Sequence, residues 1–254
     1  MRNCLFYCAG SAPSIRYAAE ALRRRGCDVA SRPGADVTHL LLPVPSLESG
    51  GALRGGGDLS NLLAELPKNV TVFGGNLNTP LLTGCKTVDL LQDPLYLAEN
   101  AAITAHCAVR IAMQRLPVTL QRCPVLVIGW GRIGKCLAAL LRRMGAQVTV
   151  AARREHDRAM LSALGFASIE PNGLGYALMR YRVIFNTVPA PVLSEAQQVH
   201  CRPDCLKIDL ASVQGIAGSD VIWARGLPGK DAPESSGELI ARTVFRLAAA
   251  EVEI

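Results

Sequence analysis

One segment limits the fold of this chain more than any other: a glycine-rich turn between an apolar strand and an amphipathic helix. Residues 125–128 (VLVI) predict a buried strand, residues 129–134 (GWGRIG) form the turn, and a helix is predicted over about 135–144. Gly145 ends that helix, and residues 147–151 (QVTVA) predict the next strand. Together these elements predict a complete βαβ unit of a parallel sheet.

The spacing of the three glycines is typical of a turn that holds a pyrophosphate. Gly129 permits the tight turn, Gly131 lets the backbone approach the ligand, and Gly134 lets the helix pack closely on the strand. The start of the helix adds free N–H groups and a partial positive charge. A purely structural glycine-rich turn is the alternative. We therefore expect dinucleotide binding, with contacts from Gly129, Trp130, Gly131, Arg132, Ile133 and Gly134.

The end of the second strand indicates which dinucleotide is bound. NAD sites place Asp or Glu about twenty residues after the glycines, where the carboxylate accepts a hydrogen bond from the adenosine ribose. This chain has Ala152 there, followed by Arg153 and Arg154, so no carboxylate is expected beside the ribose. Because charge-assisted hydrogen bonds contribute about 1.5–3 kcal/mol each, a 2′-phosphate would be favoured over a 2′-hydroxyl. We expect NADP rather than NAD, the alternative being that both arginines are merely solvated.

Two later predicted strands, 182–185 (RVIF) and 205–210 (CLKIDL), are followed by polar residues. Ligands of doubly wound sheets lie beyond the carboxyl ends of the strands, so residues emerging there are site candidates. Asn186 and Thr187 equally suit a turn whose side chains bond locally, and Asp209 suits a turn cap. The expected cofactor contacts here are Asn186, Thr187, Val188, Pro189, Leu210 and Ala211.

The N-terminal third also alternates predicted strands with helices. Residues 14–25 (SIRYAAEALRRR) predict an amphipathic helix that ends at Gly26. Such alternation is typical of a second parallel sheet. Glycines within 49–57 indicate a mobile surface loop, with a lid over a cleft as the alternative. The predicted strands of this part are 3–8, 27–30, 38–42 and 70–73.

The expected fold class is therefore α/β, with two domains that each consist of a parallel sheet flanked by helices. The first is an N-terminal flavodoxin-like α/β domain over residues 1–96. The second, over 97–254, combines a linker helix at 97–116 with a Rossmann-type NAD(P)-binding domain and a C-terminal helix over about 237–250, which follows a loop that contains Pro228.

Composition and charge exclude several other classes of protein. Hydrophobic residues make up 50% and charged residues 19%, which excludes a disordered chain. No apolar run approaches the roughly 18 residues of a membrane helix, and the first ten residues are too short and polar for a signal peptide. The net charge of +6 comes largely from arginines at predicted helix ends, so no nucleic-acid partner is expected. Nine scattered cysteines indicate a cytoplasmic setting, and Cys201 and Cys205 do not complete a metal site.

Several segments taken together resemble a known family. They are VLVIGWGRIGKCLAALLRRMGAQVTVAARR, VIFNTVP, KIDLAS and RGLPGKDAPESSGELIA. In this order they are similar to the A-subunit family of dipicolinate synthase, within the D-2-hydroxyacid-dehydrogenase-like Rossmann superfamily. The resemblance covers nearly all of residues 100–250, and it extends more loosely to HLLLPVPS and NVTVFGG in the N-terminal third.

The resemblance implies a cytoplasmic two-domain enzyme with NADP in its second domain and an active site in the cleft. It implies oxidation of a small dicarboxylate, a dihydro- or hydroxytetrahydrodipicolinate, to dipicolinate during sporulation. It also implies that the work is shared with a flavoprotein-like B subunit, while a homo-oligomer is another arrangement open to the chain. Pro228 and Gly229, in the RGLPGK loop, are then further cofactor candidates.

The connecting helix departs from the family pattern. It reads Thr104-Ala105-His106-Cys107 where the family has Thr-x-Glu-Gly, so His106 either substitutes for the glutamate or is simply packed. The candidate catalytic residues are His106, Thr104 and Ser212. Two alternatives stay open: an NAD(P)-dependent dehydrogenase of another small acid, and a non-catalytic module that senses nucleotide or binds a partner.

Overall fold

The computed structural model describes residues 4–48 and 52–252, so residues 49–51 of the expected glycine-rich loop lie outside the described residues. The chain forms two compact units. Unit 1 consists of the residues up to Asn100 together with those from Pro228 onward, and unit 2 spans Ala101–Leu227. The C-terminal segment is therefore grouped with unit 1, whereas the sequence analysis placed it with the second domain.

Unit 1 contains a five-stranded parallel sheet in the order β2-β1-β3-β4-β5. This is the flavodoxin-like order, in which the direction of winding reverses between the first and third strands. Its core includes Leu40 of β3 and Val72 of β4 together with buried leucines and valines from the segments around these strands. The strands are β1 (Leu5–Cys8), β2 (Asp28–Ala30), β3 (His39–Leu41), β4 (Thr71–Gly74) and β5 (Lys86–Asp89).

The helices of unit 1 include the amphipathic helix that the N-terminal periodicity predicts. This helix, α1, buries Ile15, Ala18 and Leu22 along one face, as a helical repeat requires. The helices that lie wholly or partly in unit 1 are α1 (Pro13–Arg24), α2 (Leu59–Ala64), α3 (Pro94–Arg115), α7 (Leu227–Asp231) and α8 (Pro233–Val252), and the 3₁₀ turns are Pro80–Leu82 and Leu90–Gln92.

Helix α8 belongs to unit 1 because it packs directly on α1. A Cβ atom at Gly237 would lie 2.5 Å from Cβ of Tyr17 and 2.6 Å from the Ser14 carbonyl oxygen, so only glycine allows this close crossing. Next to it, Glu238 forms ion pairs with Arg24 and, at 2.9 Å, with Arg25. The run Arg23-Arg24-Arg25 thus has a partner within unit 1 in addition to its favourable place at a helix end.

Unit 2 contains a six-stranded parallel sheet in the order β11-β10-β9-β6-β7-β8. This is the doubly wound Rossmann order, and the winding reverses between β6 and β9. Its strands are β6 (Pro124–Ile128), β7 (Gln147–Ala151), β8 (Ala167–Ile169), β9 (Val183–Asn186), β10 (Leu206–Asp209) and β11 (Val221–Trp223). Its helices are α4 (Arg132–Arg143), α5 (Glu155–Ala163) and α6 (Glu195–Gln198), with 3₁₀ turns at Pro171–Gly173 and Gly175–Arg180.

The predicted α/β class with two parallel sheets is confirmed. Two details differ from the sequence analysis. The loop predicted around Pro228 contains the short helix α7, and α8 begins at Pro233 rather than near Gly237. A proline in the first turn of a helix is favourable because the N–H that it lacks would have no helical acceptor.

Within the described residues, no helix has the length and hydropathy needed to cross a membrane. Nor does this part of the chain bring together three His, Cys, Asp or Glu side chains that could hold a metal ion. All nine cysteines fall within the described ranges and are free thiols. Burial raises the pKa of the Cys8 and Cys205 thiols to about 12.

Candidate functional site

The glycine-rich turn after β6 has the geometry that its sequence predicts. Gly129 has a φ of 106°, and its N–H donates to the Ala151 carbonyl over 2.9 Å. A Cβ atom at Gly134 would lie 2.2 Å from the Gly129 carbonyl oxygen. Since real side chains do not approach that closely, Gly134 is required for α4 to start against the turn.

Gly131 is different, because nothing in the protein occupies the space beside it. A Cβ atom there would meet no heavy atom within 4 Å, and the residue lines a cavity. The fold therefore does not require glycine at this position. Space left open on the cavity side is what the close approach of a pyrophosphate to the backbone would need.

The beginning of α4 offers unpaired donors at the same place. Gly131 is the N-cap, and the first helical hydrogen bond runs from the Lys135 N–H to the Gly131 carbonyl at 2.9 Å. The N–H groups of Arg132, Ile133 and Gly134 precede that bond and so have no acceptor within the helix. They form the positive end of the helix dipole, which is a ready anion site.

A cavity of about 1220 Å³ lies at the carboxyl ends of the strands of unit 2, and all the residues that line it belong to that unit. Its walls come from the glycine-rich turn, the end of β7, the loop after β9 and the loop after β10. A cavity of this size at the winding reversal of a Rossmann sheet is where such folds bind dinucleotides. The lining consists of 128–131, 151–154, Asp157, 171–172, 188, 190–194, 197 and 214–218.

The end of β7 presents two arginines to this cavity. Arg153 and Arg154 are exposed and line it, as the sequence analysis expected. The loop that carries them is fixed by Arg158, whose Nη1 donates to the carbonyls of Ala152 at 2.9 Å and Arg153 at 2.8 Å. These hydrogen bonds anchor the backbone from which the Arg153 side chain projects.

The lining also includes a carboxylate that the sequence analysis missed. Asp157, in the first turn of α5, lines the cavity; the prediction that no carboxylate lies beside the ribose concerns the position of Ala152 and stays a prediction. Asp157 lies five residues beyond Ala152, outside the position that NAD sites use. The sequence signal was present, because an acidic residue is favourable in the first turn of a helix.

The two loops of the opposite wall are held together by a fully buried carboxylate. Asp209 ends β10, and its Oδ2 accepts hydrogen bonds from the Gly215 and Ile216 N–H groups at 2.7 and 2.8 Å. Its Oδ1 accepts from the Ala211 N–H and from Asn186 Nδ2, both at 3.0 Å. Four donors thus satisfy one buried anion, which is what makes its burial tolerable.

Asn186 is part of the same network. Its amide also donates to the Val188 carbonyl at 3.0 Å and accepts from the Val188 N–H at 2.9 Å. The side chain is fully buried, so the local-turn alternative describes its hydrogen bonds better than direct cofactor contact does. Thr187 is similar, because its Oγ1 donates to the Ile128 carbonyl at 3.0 Å and lies against the Gly129 turn.

The structure brings together on the cavity lining Gly129, Trp130, Gly131, Arg153, Arg154 and Val188. The other expected cofactor contacts in unit 2 lie outside that lining. Arg132, Ile133 and Gly134 begin α4, Leu210 and Ala211 are buried after β10, and Pro189 is exposed. Pro228 and Gly229 lie in α7 within unit 1.

The three candidate catalytic residues do not form a cluster on the cavity lining. On α3, Thr104 is buried and His106, two residues later, is exposed. Ser212 is exposed in the loop after β10. His106 is exposed, so within this structure its side chain is not packed in the core. Its catalytic role stays a prediction.

The chain was compared with protein families and with curated proteins. No family model matches the chain. The A-subunit of dipicolinate synthase from Bacillus subtilis (strain 168) is 25% identical over 248 residues, covering 88% of this chain and 82% of the relative. The chain resembles the dipicolinate synthase A-subunit. The family resemblance that the motifs predict is therefore confirmed.

Solved structures agree on the fold. The dipicolinate synthase A-subunit of Bacillus halodurans superposes with a TM-score of 0.83 at 21% identity, covering 96% of this chain and 97% of that one. Transhydrogenase of Sinorhizobium meliloti superposes with a TM-score of 0.73 at 16% identity, covering 98% of this chain and 94% of that one. D-lactate dehydrogenase of Escherichia coli superposes with a TM-score of 0.61 at 15% identity, covering 98% of this chain and 97% of that one. These likenesses show that the chain shares the two-sheet fold of these proteins.

Proposed function

We propose that this chain is an NADP-dependent oxidoreductase of the dipicolinate synthase type. In this proposal it oxidises a dihydro- or hydroxytetrahydrodipicolinate to dipicolinate for sporulation, in the cytoplasm and together with a flavoprotein-like companion subunit. The observation that carries the cofactor assignment is the pair Arg153 and Arg154 on the cavity lining, directly after β7. The resemblance to the dipicolinate synthase A-subunit supports the substrate class.

The charges around the cavity favour an additional phosphate. Two guanidinium groups line this wall against one carboxylate, Asp157, so the local balance is positive. Each charge-assisted hydrogen bond to a phosphate contributes about 1.5–3 kcal/mol, and one such contact corresponds to about a tenfold to hundredfold preference. The Arg158 anchor reduces the freedom that the loop would lose on binding, which adds to the affinity.

The remaining parts of the cavity suit the rest of the cofactor. The N–H groups at the start of α4 would hold the diphosphate, and the open side of Gly131 would let it approach. The loop at 190–193 and Gly215 would bound the opposite side. The nicotinamide, when bound, supplies the acceptor for a hydride.

Oxidation of the dihydro compound removes one hydride and one proton, and the product gains an aromatic ring. A hydroxytetrahydro compound must first lose water to reach the same dihydro stage. Thr104, His106 and Ser212 stay the proposed residues for moving the proton, because each carries a group that exchanges or donates one. The dicarboxylate substrate needs cationic or N–H contacts, which the net charge of +6 is consistent with.

Calorimetric titration of the full chain with NADPH and with NADH tests the cofactor assignment. We expect NADPH to bind at least about tenfold more tightly. Replacing Arg153 and Arg154 together by alanine should remove most of that difference, whereas Arg143→Ala, an exposed arginine outside the cavity, should leave it unchanged. Equal affinity for the two cofactors would remove the NADP preference, and no binding of either would overturn the proposal.

The substrate assignment needs a separate assay. NADPH absorbance and dipicolinate formation are followed with a dihydrodipicolinate as the substrate, with and without the companion subunit. Product should form only with NADP present. Tight NADPH binding without turnover under both conditions would instead favour the nucleotide-sensing alternative, and turnover of a different small acid from a substrate panel would favour another dehydrogenase.

A further inference from the structure

Unit 2 carries a second, smaller concavity on the outer surface of α4 and α5. It has a volume of about 350 Å³. Lys135, Ala139 and Arg142 line it from α4, and Met160 and Leu164 line it at the end of α5. The rings of Trp130 and Phe166 complete the lining. We call this surface the α4–α5 groove.

The floor of the groove is apolar, although it faces solvent. Met160 is 56% exposed and Leu164 48% exposed, and their four-residue spacing places them on one face of the helix. The rings of Trp130 and Phe166 meet edge to face, with centroids 5.9 Å apart. Together these side chains form a small apolar surface that a partner could cover.

Two cationic side chains, Lys135 and Arg142, lie against the aromatic rings of the groove. The Lys135 ammonium lies 5.8 Å from the centroid of the Trp130 ring, and the Arg142 guanidinium lies 4.1 Å from that of Phe166. The two residues are seven positions apart on α4, which corresponds to two helical turns, or about 10 Å. No carboxylate is found among the described residues that line the groove.

We propose that the α4–α5 groove binds an acidic amphipathic helix of the companion subunit. Apolar side chains of that helix would cover Met160 and Leu164, and carboxylates two turns apart would meet Lys135 and Arg142. A helix laid into a groove between two helices is a recurring mode of recognition, and the charge pattern selects an acidic one. The existence of a companion subunit rests on the proposed function; the place and chemistry of docking rest on the groove.

Docking at this surface is coupled to nucleotide binding through one residue. Trp130 lies in the glycine-rich turn and lines both the cavity and the groove. A helix that fixes the Trp130 ring also fixes the turn that would hold the diphosphate. The coupling is reciprocal, so NADPH should raise the affinity for the companion by the same factor as the companion raises that for NADPH.

The test measures the affinity of the purified full chain for the purified flavoprotein-like subunit, with and without NADPH. Met160→Glu places a negative charge on the exposed floor and should weaken binding by about tenfold or more. Met179→Glu is the matched control, since Met179 is 60% exposed in the same unit but outside the groove, and it should bind normally. Lys135→Glu is an independent second variant, with Arg143→Glu as its control on the same helix.

Each outcome decides between the alternatives. The proposal is supported if Met160→Glu and Lys135→Glu bind the companion subunit more weakly, while their unfolding temperatures and the binding of both controls are unchanged. If Met160→Glu does not fold, the binding of Lys135→Glu alone tests the groove. If the wild type binds the companion subunit and neither variant changes its affinity, docking at the groove is refuted and the proposed function is left intact. No wild-type binding overturns both the groove and the companion subunit, and NADPH titration then tests the remaining oxidoreductase assignment by itself. If Met160→Glu abolishes only self-association of the chain, the occupant is a second copy and the proposal is wrong.

Discussion

Replacing Asp209 by asparagine should cost this protein a large part of its stability. The buried carboxylate accepts four hydrogen bonds, two at each oxygen. Asparagine keeps one acceptor oxygen and turns an NH₂ group toward the other pair of donors. Whichever way the amide is oriented, two charge-assisted hydrogen bonds are lost, which amounts to about 3–6 kcal/mol. Domains of this size are stable by only about 5–15 kcal/mol.

Urea denaturation of Asp209→Asn and of the wild type measures this loss directly. Asp36→Asn serves as the control, because Asp36 is an exposed carboxylate in unit 1. Nucleotide affinity should fall as well, since Gly215 and Ile216 line the cavity and are positioned by Asp209. A loss of stability below about 1 kcal/mol would refute the reasoning, because it would mean that the four donors find other acceptors at little cost.

The glycine-rich turn and the buried thiols lead to two more predictions. Gly131→Ala should leave the unfolding free energy nearly unchanged and weaken NADPH binding about tenfold or more. Gly134→Ala should instead destabilise the fold, because its Cβ would lie 2.2 Å from a backbone oxygen. Equal effects of the two variants in denaturation and in NADPH titration would contradict this. Burial raises the pKa of the Cys8 and Cys205 thiols from 9.0 to about 12, so the folded state holds these protons more tightly than the unfolded state. The stability that the two thiols contribute is complete below pH 9 and should be lost as the pH rises toward 12. In urea denaturation between pH 8 and 12, the unfolding free energy of Cys8→Ala should therefore decline less than that of the wild type. An identical decline in the two proteins would contradict the assignment.

The sequence predicts the central part of unit 2 because several local signals agree there. The apolar run of β6, the glycine spacing and the helical period of α4 all specify one βαβ unit, and β7 falls at the predicted residues. Strands β8 and β11 were missed. Each has only three residues, mostly half-buried, so neither shows an alternation that a sequence pattern could reveal.

Residues whose role depends on distant contacts were predicted less well. Gly237 suggests a helix boundary in the sequence, whereas the structure uses it inside α8 where that helix crosses α1. Asp157 was overlooked because its place on the cavity depends on where α5 begins. For Asn186, the sequence left two interpretations open, and only the neighbouring strand, which supplies Asp209, distinguishes them.

The packing of α8 on α1 makes unit 2 an insertion between two segments of unit 1. A ribosome therefore releases all of unit 2 before the last helix of unit 1 has been synthesised. Until then, the part of α1 that receives Gly237 has no covering helix, and a nascent chain would expose it. Removing α8 should consequently harm the N-terminal sheet through α1, which lies more than two hundred residues before α8 in sequence, while the Rossmann sheet keeps every one of its strands.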